Sequence, residues 1–382
     1  MSAKNVHFEI VARSGHARRG RLHTRHGVVE TPAFMPVATQ ATVKALSPQE
    51  VAASGARMVI MNTYHLWLRP GPEIVFGRGN LHGFSRWPHA IVTDSGGFQA
   101  FSLAKLCKVT EEGFAFASHL DGARRLLSPE ESMRVQGLLG SDIAMQLDIC
   151  PPGGADRPVL TAAVERTTRW AERCLRAKAS DQALFGIIQG GTQIELRLRH
   201  AEELARLPFD GLALGGFSVG ESNEAMHRTL VEVVPAVDAS RPRYLMGVGT
   251  PSDLLRAMRV GIDMFDCVMP TRNARNGQAF VASGKVVIKQ ARYREDDSPL
   301  EEGCSCATCS GGFSRAYLRH LFMAKEILCH RLLSIHNLHF YGELMREARE
   351  AIELGRFADY AARRLSEMSV NEQPVGLADV AT

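Results

Sequence analysis

The length, composition and charge of the chain are those of an ordinary globular protein. Its 382 residues are 45% hydrophobic and 23% charged, which excludes a disordered or fibrous chain and predicts one large domain with an appendage, or two domains. No apolar run approaches the ~18 residues of a membrane span, and the N-terminus lacks the apolar stretch of a secretory signal. We therefore expect a cytosolic protein. A net charge of +4 does not by itself indicate nucleic-acid binding.

Eight short apolar runs alternate with helical patterns through the middle of the sequence. They are continuous apolar runs, as expected of parallel strands that are covered on both faces. The predicted strands are Ala33–Val37, Arg57–Met61, Ala90–Thr93, Asp142–Leu147, Leu184–Ile188, Gly211–Leu214, Tyr244–Gly247 and Met264–Val268. Eight strand–helix units predict an α/β protein with a (β/α)₈ TIM barrel. A doubly wound open sheet is the alternative, because strand number alone does not show closure.

Helix starts lie between these strands, and two segments interrupt the alternation. Ser47-Pro48, Ser128-Pro129 and Thr250-Pro251 each combine a hydroxyl N-cap with a proline at the first helical position. Residues 100–127 and residues 279–288 predict hairpin insertions. We expect a catalytic barrel with an N-terminal extension over residues 1–275. Residues 276–382 should then form a hairpin, a zinc-binding subdomain and C-terminal helices.

Three of the eight cysteines, Cys304, Cys306 and Cys309, lie within six residues. In a cytosolic chain such a cluster indicates a metal site instead of disulfides, and zinc takes four tetrahedral ligands. We favour His336 as the fourth ligand, because it lies where one helical pattern ends and another begins. The alternatives are His320, Cys329, His330 and His339. With no position left for water, the Zn²⁺ should be structural, at one per chain.

Polar residues follow the predicted strands, at the end of a barrel where active sites form. Three of them are carboxylates, Asp94, Asp148 and Asp266. Two carboxylates at one site suit displacement at the anomeric carbon of a sugar, in which one attacks and the other moves a proton. A third carboxylate beside Gln189 suits the polar edge of a purine-like base. An N-cap of the following helix is the alternative role for each of the three acids.

Long motifs at these strand ends resemble bacterial tRNA-guanine transglycosylases over about residues 8–360. The motifs are Phe34-Met35-Pro36-Val37, Asn62-Thr63-Tyr64-His65-Leu66, Asp94-Ser95-Gly96-Gly97-Phe98-Gln99, Gly186-Ile187-Ile188-Gln189-Gly190, Arg243-Tyr244-Leu245-Met246-Gly247-Val248-Gly249, Asp263-Met264-Phe265-Asp266-Cys267-Val268-Met269-Pro270-Thr271-Arg272 and the Cys-x-Cys-x₂-Cys…His set. The family exchanges guanine at wobble position 34 of the tRNAs for Asp, Asn, His and Tyr. The incoming base in bacteria is 7-aminomethyl-7-deazaguanine (preQ1), a step towards queuosine.

The resemblance implies a role for each matched residue. Asp266 would be the nucleophile that forms a covalent tRNA intermediate, and Asp94 the general acid/base. The implied base-binding residues are Asp148, Gln189, Gly216, Phe98, Met246, Phe217, Cys150 and Val219. The implied contacts to the tRNA anticodon stem–loop are Arg272 and Arg275. Because a net charge of +4 is too small to hold RNA by itself, we expect a local basic patch that also includes Lys285 and Lys289. The resemblance also implies a homodimer, with Phe313, Tyr317 and His320 at its interface, and we expect an ion pair between Lys44 and Glu326 across it. The alternative is that these aromatic residues pack the core of the subdomain.

The sequence departs from the usual bacterial pattern at two places in the base pocket. Ile149-Cys150-Pro151-Pro152 follows Asp148, and Phe217-Ser218 precedes Val219. Three alternative functions remain: a relative that inserts another deazapurine, a non-catalytic tRNA-binding subunit, and a phosphate-binding metabolic barrel. Retention of all three carboxylates favours catalysis. A second basic cluster, Arg18 to Arg25, is equally consistent with solvated surface.

Overall fold

The computed structural model describes residues 6–103, 107–179 and 181–369. Within these ranges the strands are β1 (His7–Ser14), β2 (Ala17–Thr24), β3 (Gly27–Thr31), β4 (Ala33–Ala38), β5 (Met58–Met61), β6 (Ala90–Thr93), β7 (Lys108–Val109), β8 (Phe114–Ala117), β9 (Arg124–Leu127), β10 (Ile143–Met145), β11 (Ala183–Ile188), β12 (Gly211–Leu214), β13 (Arg243–Leu245), β14 (Met264–Cys267), β15 (Gln278–Val281) and β16 (Gly284–Val287).

The helices within the same ranges are α1 (Pro48–Ala53), α2 (Thr63–Leu68), α3 (Pro72–Phe76), α4 (Asn80–Ser85), α5 (Gly97–Leu103), α6 (Pro129–Leu139), α7 (Arg157–Ala177), α8 (Ile194–Ala205), α9 (Asn223–Val233), α10 (Pro251–Val260), α11 (Met269–Arg275), α12 (Ala307–Ser310), α13 (Arg315–Met323), α14 (Ile327–Glu353) and α15 (Phe357–Ser369). None of these helices is both long and apolar enough to cross a membrane.

Eight parallel strands close into a barrel in the order β10-β11-β12-β13-β14-β4-β5-β6. The predicted (β/α)₈ barrel is therefore confirmed, and the open sheet is excluded. Each predicted strand corresponds to one barrel strand, with bounds that differ by no more than two residues at either end. Serine or threonine caps begin α1, α6 and α10 as predicted, and each hydroxyl accepts a hydrogen bond from the backbone N–H three residues later.

Both predicted hairpin insertions are present. The first is an antiparallel sheet of the three strands β7, β8 and β9, although residues 104–106 of the predicted segment lie outside the described residues. The second is the antiparallel pair β15–β16. Residues 1–5 and 370–382 also lie outside the described part, so the predicted ranges 1–275 and 276–382 extend beyond it at both ends.

A separate antiparallel sheet of β1, β2 and β3 precedes the barrel, and the sequence analysis did not identify it. This sheet directs the Arg18 side chain inward, where it is fully buried. Arg18 Nε donates to Asp263 Oδ1 at 2.9 Å, and Nη1 and Nη2 donate to the carbonyls of Ala239 and Arg241. Arg18 is therefore not part of a solvated surface.

The C-terminal region is joined to the barrel through the 27-residue helix α14. One set of its side chains, including Leu333 and Cys329, packs in the apolar cluster of the cysteine-containing subdomain. Another set, including Leu338, Tyr341 and Leu344, packs in the main core around the barrel. The helix therefore fixes the subdomain rigidly beside the barrel strands.

The Arg18–Asp263 pair generates a prediction about stability. Arg18→Met leaves the Asp263 carboxylate buried without its cation, so the free energy of unfolding in urea should fall by about 3–5 kcal/mol. Arg21→Met removes a half-exposed arginine of the same strand, paired with Glu30 at the surface, and should change the free energy by less than about 1 kcal/mol. Arg18→Met/Asp263→Leu should recover most of the loss. Equal losses for Arg18→Met and Arg21→Met would contradict this.

Candidate active site and metal centre

The polar residues that follow the barrel strands meet at one mouth of the barrel. Asn62 follows β5, Asp94 follows β6, and Gln189 follows β11, while Asp266 lies within β14. Because parallel strands in a closed barrel share one direction, their carboxyl ends surround one site. The polar residues predicted at the strand ends are therefore far apart in the chain but adjacent in the fold.

Asp94 is held by hydrogen-bond donors from the β5–α2 and β6–α5 turns. Its Oδ1 accepts from the backbone N–H groups of Thr63 at 2.9 Å and Gly96 at 3.1 Å, and its Oδ2 accepts from the Asn62 amide. Burial raises the pKa of Asp94 to about 7, with the nearby Asp266 charge adding to the effect. This carboxyl group can therefore donate or accept a proton near neutral pH.

Asp266 is fixed by two donors from the neighbouring strand. Tyr244 is fully buried and its hydroxyl donates to Asp266 Oδ1 at 2.5 Å, while the Gly247 N–H donates to the same oxygen at 2.8 Å. Burial raises the pKa of Asp266 above its ordinary value, and the bond from Tyr244 opposes that shift. Within the described residues Oδ2 has no hydrogen-bond partner, so one oxygen is held and the other is free to react.

Asp148 and Gln189 form a buried polar pair at the same mouth. Gln189 Nε2 donates to Asp148 Oδ2 at 2.6 Å, and Ser95 Oγ lies 3.4 Å from Oδ1. Burial raises the pKa of Asp148 to about 6. Gln189 Oε1 is buried without a hydrogen-bond partner, which is costly unless a ligand supplies a donor. The pair is thus suited to a ligand edge that carries several N–H groups.

Two cavities flank this pair. One, of about 200 Å³, is lined by Gln189, Gly216 and Val219. The other, of about 260 Å³, is mainly apolar and is lined by Phe98 and Cys150, where burial raises the pKa of the Cys150 thiol to about 12. Phe98 is about half exposed, so its ring is available to a flat ligand. Met246 is partly buried and packs on the apolar interior of the barrel.

The segment from Phe217 to Glu221 is a loop held in place by a buried side chain and by hydrogen bonds to its backbone. The Phe217 side chain is buried and lies 3.8 Å from the Arg197 guanidinium, so it faces the core. Glu221 accepts hydrogen bonds from the backbone N–H groups of Ser218 and Val219. The departure from the usual bacterial sequence therefore places an aromatic ring behind the pocket and leaves the loop backbone beside it.

The three clustered cysteines and His336 form a compact donor set. His336 Nδ1 lies 3.7, 3.5 and 3.4 Å from the sulfurs of Cys304, Cys306 and Cys309. Tetrahedral zinc with Zn–S near 2.3 Å and Zn–N near 2.0 Å separates N and S by about 3.6 Å, so these residues fit the metal. His336 Nε2 donates to the Phe280 carbonyl at 2.7 Å, which directs Nδ1 at the sulfurs.

The predicted ligand His336 lies at the cysteine cluster, but the reason given for choosing it is wrong. It does not lie between two helices but near the middle of the continuous helix α14. The alternative ligands lie elsewhere: the Cys329 thiol is 3.4 Å from the Leu318 carbonyl, and His339 Nε2 is 3.2 Å from Ser305 Oγ. Only the structure shows that one turn of α14 faces the cysteine loop.

Among the described residues, a second group of possible metal ligands comprises His26, His82 and Asp142. His26 Nδ1 lies 2.8 Å and His82 Nε2 3.3 Å from the Asp142 oxygens. The two imidazole rings are stacked 3.5 Å apart and nearly parallel, so one ion cannot lie in the plane of both rings. We interpret this group as a hydrogen-bonded cluster that holds the buried Asp142 carboxylate.

The two basic clusters differ in their pairing. In the N-terminal cluster Arg18, Arg19, Arg21 and Arg25 all have acidic partners. Within the described residues, no carboxylate lies within ion-pair distance of four cations that follow β14: Arg272, Arg275, Lys285 and Lys289. We call these four residues the basic patch. Arg272 and Arg275 lie on α11, directly after β14, while Lys285 lies in β16 and Lys289 just after it.

Several supporting residues were not assigned from sequence. Asn62 directly follows β5, a signal that could have identified it as a partner of Asp94, whereas Tyr244 lies in the middle of β13 and carries no such signal. Arg197 occupies the buried stripe of α8 with Leu196, His200, Ala201 and Leu204. A cation at such a position indicates an internal hydrogen-bonding role, since arginine is rarely buried without one.

A closed barrel with several carboxylates at the carboxyl ends of its strands defines a TIM-barrel enzyme. The family model for queuine tRNA-ribosyltransferase matches residues 13–370. The chain is 66% identical to a queuine tRNA-ribosyltransferase of Sorangium cellulosum, over 93% of this chain and 90% of that protein. Relatives of the same description from Solidesulfovibrio magneticus and Macrococcus caseolyticus are 55% and 50% identical, over 93% and 96% of this chain and 96% of each relative.

The chain belongs to the queuine tRNA-ribosyltransferase family. It is therefore an enzyme of the pentosyltransferase class. The resemblance identified from the sequence motifs is confirmed.

Proposed function

We propose that the protein exchanges guanine at position 34 of the tRNAs for Asp, Asn, His and Tyr for preQ1, by double displacement through a covalent intermediate. The observation that carries this proposal is the pair of differently supported carboxylates, Asp94 and Asp266. One is poised to move protons near neutral pH, and the other has a single oxygen free for attack. The family membership and the base-binding character of Asp148 and Gln189 are consistent with it.

In the first half-reaction, Asp266 Oδ2 forms a bond to C1′ of the ribose as the C1′–N9 bond breaks. The electron pair of that bond stays with the departing guanine, and protonated Asp94 donates a proton to it. Tyr244 and the Gly247 N–H hold the other oxygen of Asp266, which keeps the nucleophile in line with the sugar.

In the second half-reaction, the incoming base loses a proton to Asp94, which is now a carboxylate. The N9 atom of that base attacks C1′, and the bond to Asp266 breaks with its electrons returning to the carboxylate. Each group therefore returns to its starting state. Because guanine leaves and preQ1 enters through the same cavity, one set of base-binding residues serves both steps.

Base recognition follows from the donor and acceptor pattern at the mouth. The Asp148 carboxylate would accept hydrogen bonds from ring N–H and amino groups, and Gln189 would present its unpartnered oxygen to another donor. We assign backbone contacts to Gly216 and Val219 and stacking to Phe98 and Met246. Cys150 would line the apolar side, while Phe217 would contribute through its backbone. preQ1 carries an aminomethyl group that guanine lacks, and we assign the recognition of that group to the loop from Phe217 to Glu221.

The tRNA would be held mainly through its phosphates by the basic patch, with the anticodon loop opened to present the target base. The uncompensated charge of these four residues supports this assignment. The paired arginines of the N-terminal cluster are less suited to it. A protein acting on tRNA with reduced cysteines would work in the cytoplasm.

Cys304, Cys306, Cys309 and His336 would hold one structural zinc ion, which ties the cysteine loop to α14. We also propose a catalytic barrel over residues 1–275 with a zinc-binding region over 276–382. The distinct apolar cluster around the cysteines supports that division, and α14 joins the two parts.

A homodimer would form through the zinc-binding region. Tyr317, Met323 and Ile327 are exposed apolar side chains on α13 and at the start of α14, and Phe313 stacks on Tyr317. His320 and Glu326 are exposed beside them, and Lys44 is exposed for an ion pair with Glu326 across the interface.

The first prediction concerns the two carboxylates. Asp266→Asn should form no tRNA adduct on denaturing gels and should lose guanine exchange, because the nucleophilic oxygen pair is gone. In the wild type without incoming base, the rate of adduct formation should fall as pH rises through about 7, where Asp94 loses its proton. Asp94→Asn should slow adduct formation by roughly 100-fold or more and abolish this pH dependence.

Adduct formation by Asp266→Asn would transfer the nucleophilic role to another residue. A wild-type rate for Asp94→Asn would exclude Asp94 as the acid. Asp142→Asn, at the opposite end of β10, tests whether loss of any buried carboxylate has the same effect, and it should form the adduct.

The second prediction concerns the metal. Elemental analysis should find one zinc ion per chain in the wild type and none in His336→Ala, since three thiolates leave the tetrahedral site incomplete. Light scattering should give the molar mass of a monomer for the metal-free variant, because the helices of the proposed interface pack on the cysteine loop. His339→Ala is the matched control and should retain both. Full zinc occupancy in His336→Ala would move the ligand to another residue.

The third prediction separates tRNA binding from base binding. Arg272→Ala or Lys289→Ala should weaken tRNA binding and lower the slope of log affinity against log salt by about one unit each, while free-base affinity stays unchanged. Asp148→Ala should weaken free-base binding and leave the salt slope as it is. Arg21→Ala is the control for a paired arginine. An unchanged salt slope in both patch variants would place the phosphate contacts elsewhere.

A further inference from the structure

Arg197 is a buried cation directly behind the base pocket. Its side chain is fully buried, and within the described residues no carboxylate forms an ion pair with it. Nε donates to the Gly191 carbonyl at 2.5 Å, Nη1 to Ile188 at 3.2 Å, and Nη2 to Gly215 at 2.8 Å. The guanidinium therefore draws together the backbone carbonyls that end β11 and β12.

The Arg197 side chain is in close contact with several further groups. The Phe217 ring lies 3.8 Å from the guanidinium carbon, and Nη2 also approaches the Gly216 carbonyl at 3.5 Å. A Cβ at Gly190 would lie 2.9 Å from Arg197 Cγ, so that position requires glycine. Burying an unpaired charge is unfavourable. Here the backbone carbonyls and the face of the Phe217 ring stabilise the guanidinium.

The bond to Gly215 fixes the direction of the next backbone N–H. The Gly215–Gly216 peptide is trans, and in a planar trans peptide the C=O and the following N–H point in opposite directions. Because the Gly215 carbonyl accepts a hydrogen bond from Arg197, the Gly216 N–H points away from the guanidinium. Gly216 lines the pocket, and within the described residues its N–H has no acceptor.

We propose that Arg197 is a positioning residue that presents the Gly216 N–H to the carbonyl oxygen of the purine and supports negative charge on the departing base. This inference rests on the proposed function for its ligand. A guanine held at its N1–H and amino groups by Asp148 places O6 at the adjacent position, where a donor is needed.

The positive charge of Arg197 and its position both favour stabilisation of negative charge on the departing base. When the C1′–N9 bond breaks, electron density spreads over the ring to O6, and a preoriented N–H stabilises charge as it develops there. The guanidinium polarises that peptide through the Gly215 carbonyl. Burial lowers the pKa of Arg197 to about 9, which leaves the group charged at neutral pH.

The test compares two bases that differ at one atom. Guanine and 6-thioguanine share the edge that Asp148 would bind, but sulfur is a much weaker hydrogen-bond acceptor than oxygen. We would measure their dissociation constants by calorimetry for the wild type, Arg197→Met and Arg197→Lys, together with guanine exchange into tRNA. Arg199→Met, an exposed arginine on the same helix, is the control.

The wild type should prefer guanine on the order of tenfold, and Arg197→Met should reduce this preference to near one while tRNA affinity and its salt slope stay unchanged. Arg197→Lys keeps the charge but not the fork of donors, so its exchange rate should lie between the other two. Arg199→Met should match the wild type. If Arg197→Met does not fold, the preference of Arg197→Lys, which should also be reduced, decides the question.

A folded Arg197 variant that keeps the full guanine preference overturns the inference, even if its exchange rate falls, because a general structural defect would affect both bases alike. Base binding is measured without turnover, so the two proposals can fail separately. Wild-type binding with no exchange into tRNA would overturn the proposed function. Exchange with an unaltered base preference in Arg197→Met would overturn only the role of Arg197.

Discussion

Closure of the barrel between β14 and β4 is the constraint on which the site depends. Asp266 lies opposite Met35 in that parallel pairing, so the last barrel strand is fixed by the first. Without this closure, Asp266 would lie at a free sheet edge, far from Asp94 across the missing seam. The Arg18–Asp263 pair supports the same seam from below, since the Asp263 carbonyl accepts a hydrogen bond from the Ala33 backbone N–H of β4 at 2.8 Å.

Collecting three carboxylates at one mouth creates an electrostatic cost that the surrounding donors offset unequally. Asp94 receives two backbone N–H bonds and an amide, Asp266 a phenol and one backbone N–H, and Asp148 an amide and a serine hydroxyl. Burial raises all three pKa values, and the donors counter this to different extents. Different hydrogen-bond donors would let one mouth hold the two carboxylates that we propose as proton carrier and nucleophile.

The helix α14 relates the metal cluster to this mouth. It carries His336 towards the cysteines, while Asn337 on the same helix donates to the Pro270 carbonyl at the start of α11 and accepts from the Phe280 backbone N–H in the β15–β16 hairpin. The stretch from Pro270 to Phe280, which includes Arg272 and Arg275 of the basic patch, is therefore held at both ends. A zinc ion held by His336 and the cysteines would in this way stabilise the surface that we propose for the RNA.

The sequence alone determined the barrel strands, the three carboxylates and the cysteine loop, because each produces a local pattern: an apolar run, an acid directly after it, or closely spaced thiols. It could not determine the N-terminal sheet, whose strands show no such clear pattern. Nor could it show that Phe217 turns inward, that the N-terminal arginines are paired, or why His336 faces the cysteines. Tertiary structure decided these points, because each depends on contacts between residues up to hundreds of positions apart. Arg197 shows both sides: its place in the apolar stripe of α8 indicates a buried cation, but the carbonyls that it binds are brought together only by the closed sheet.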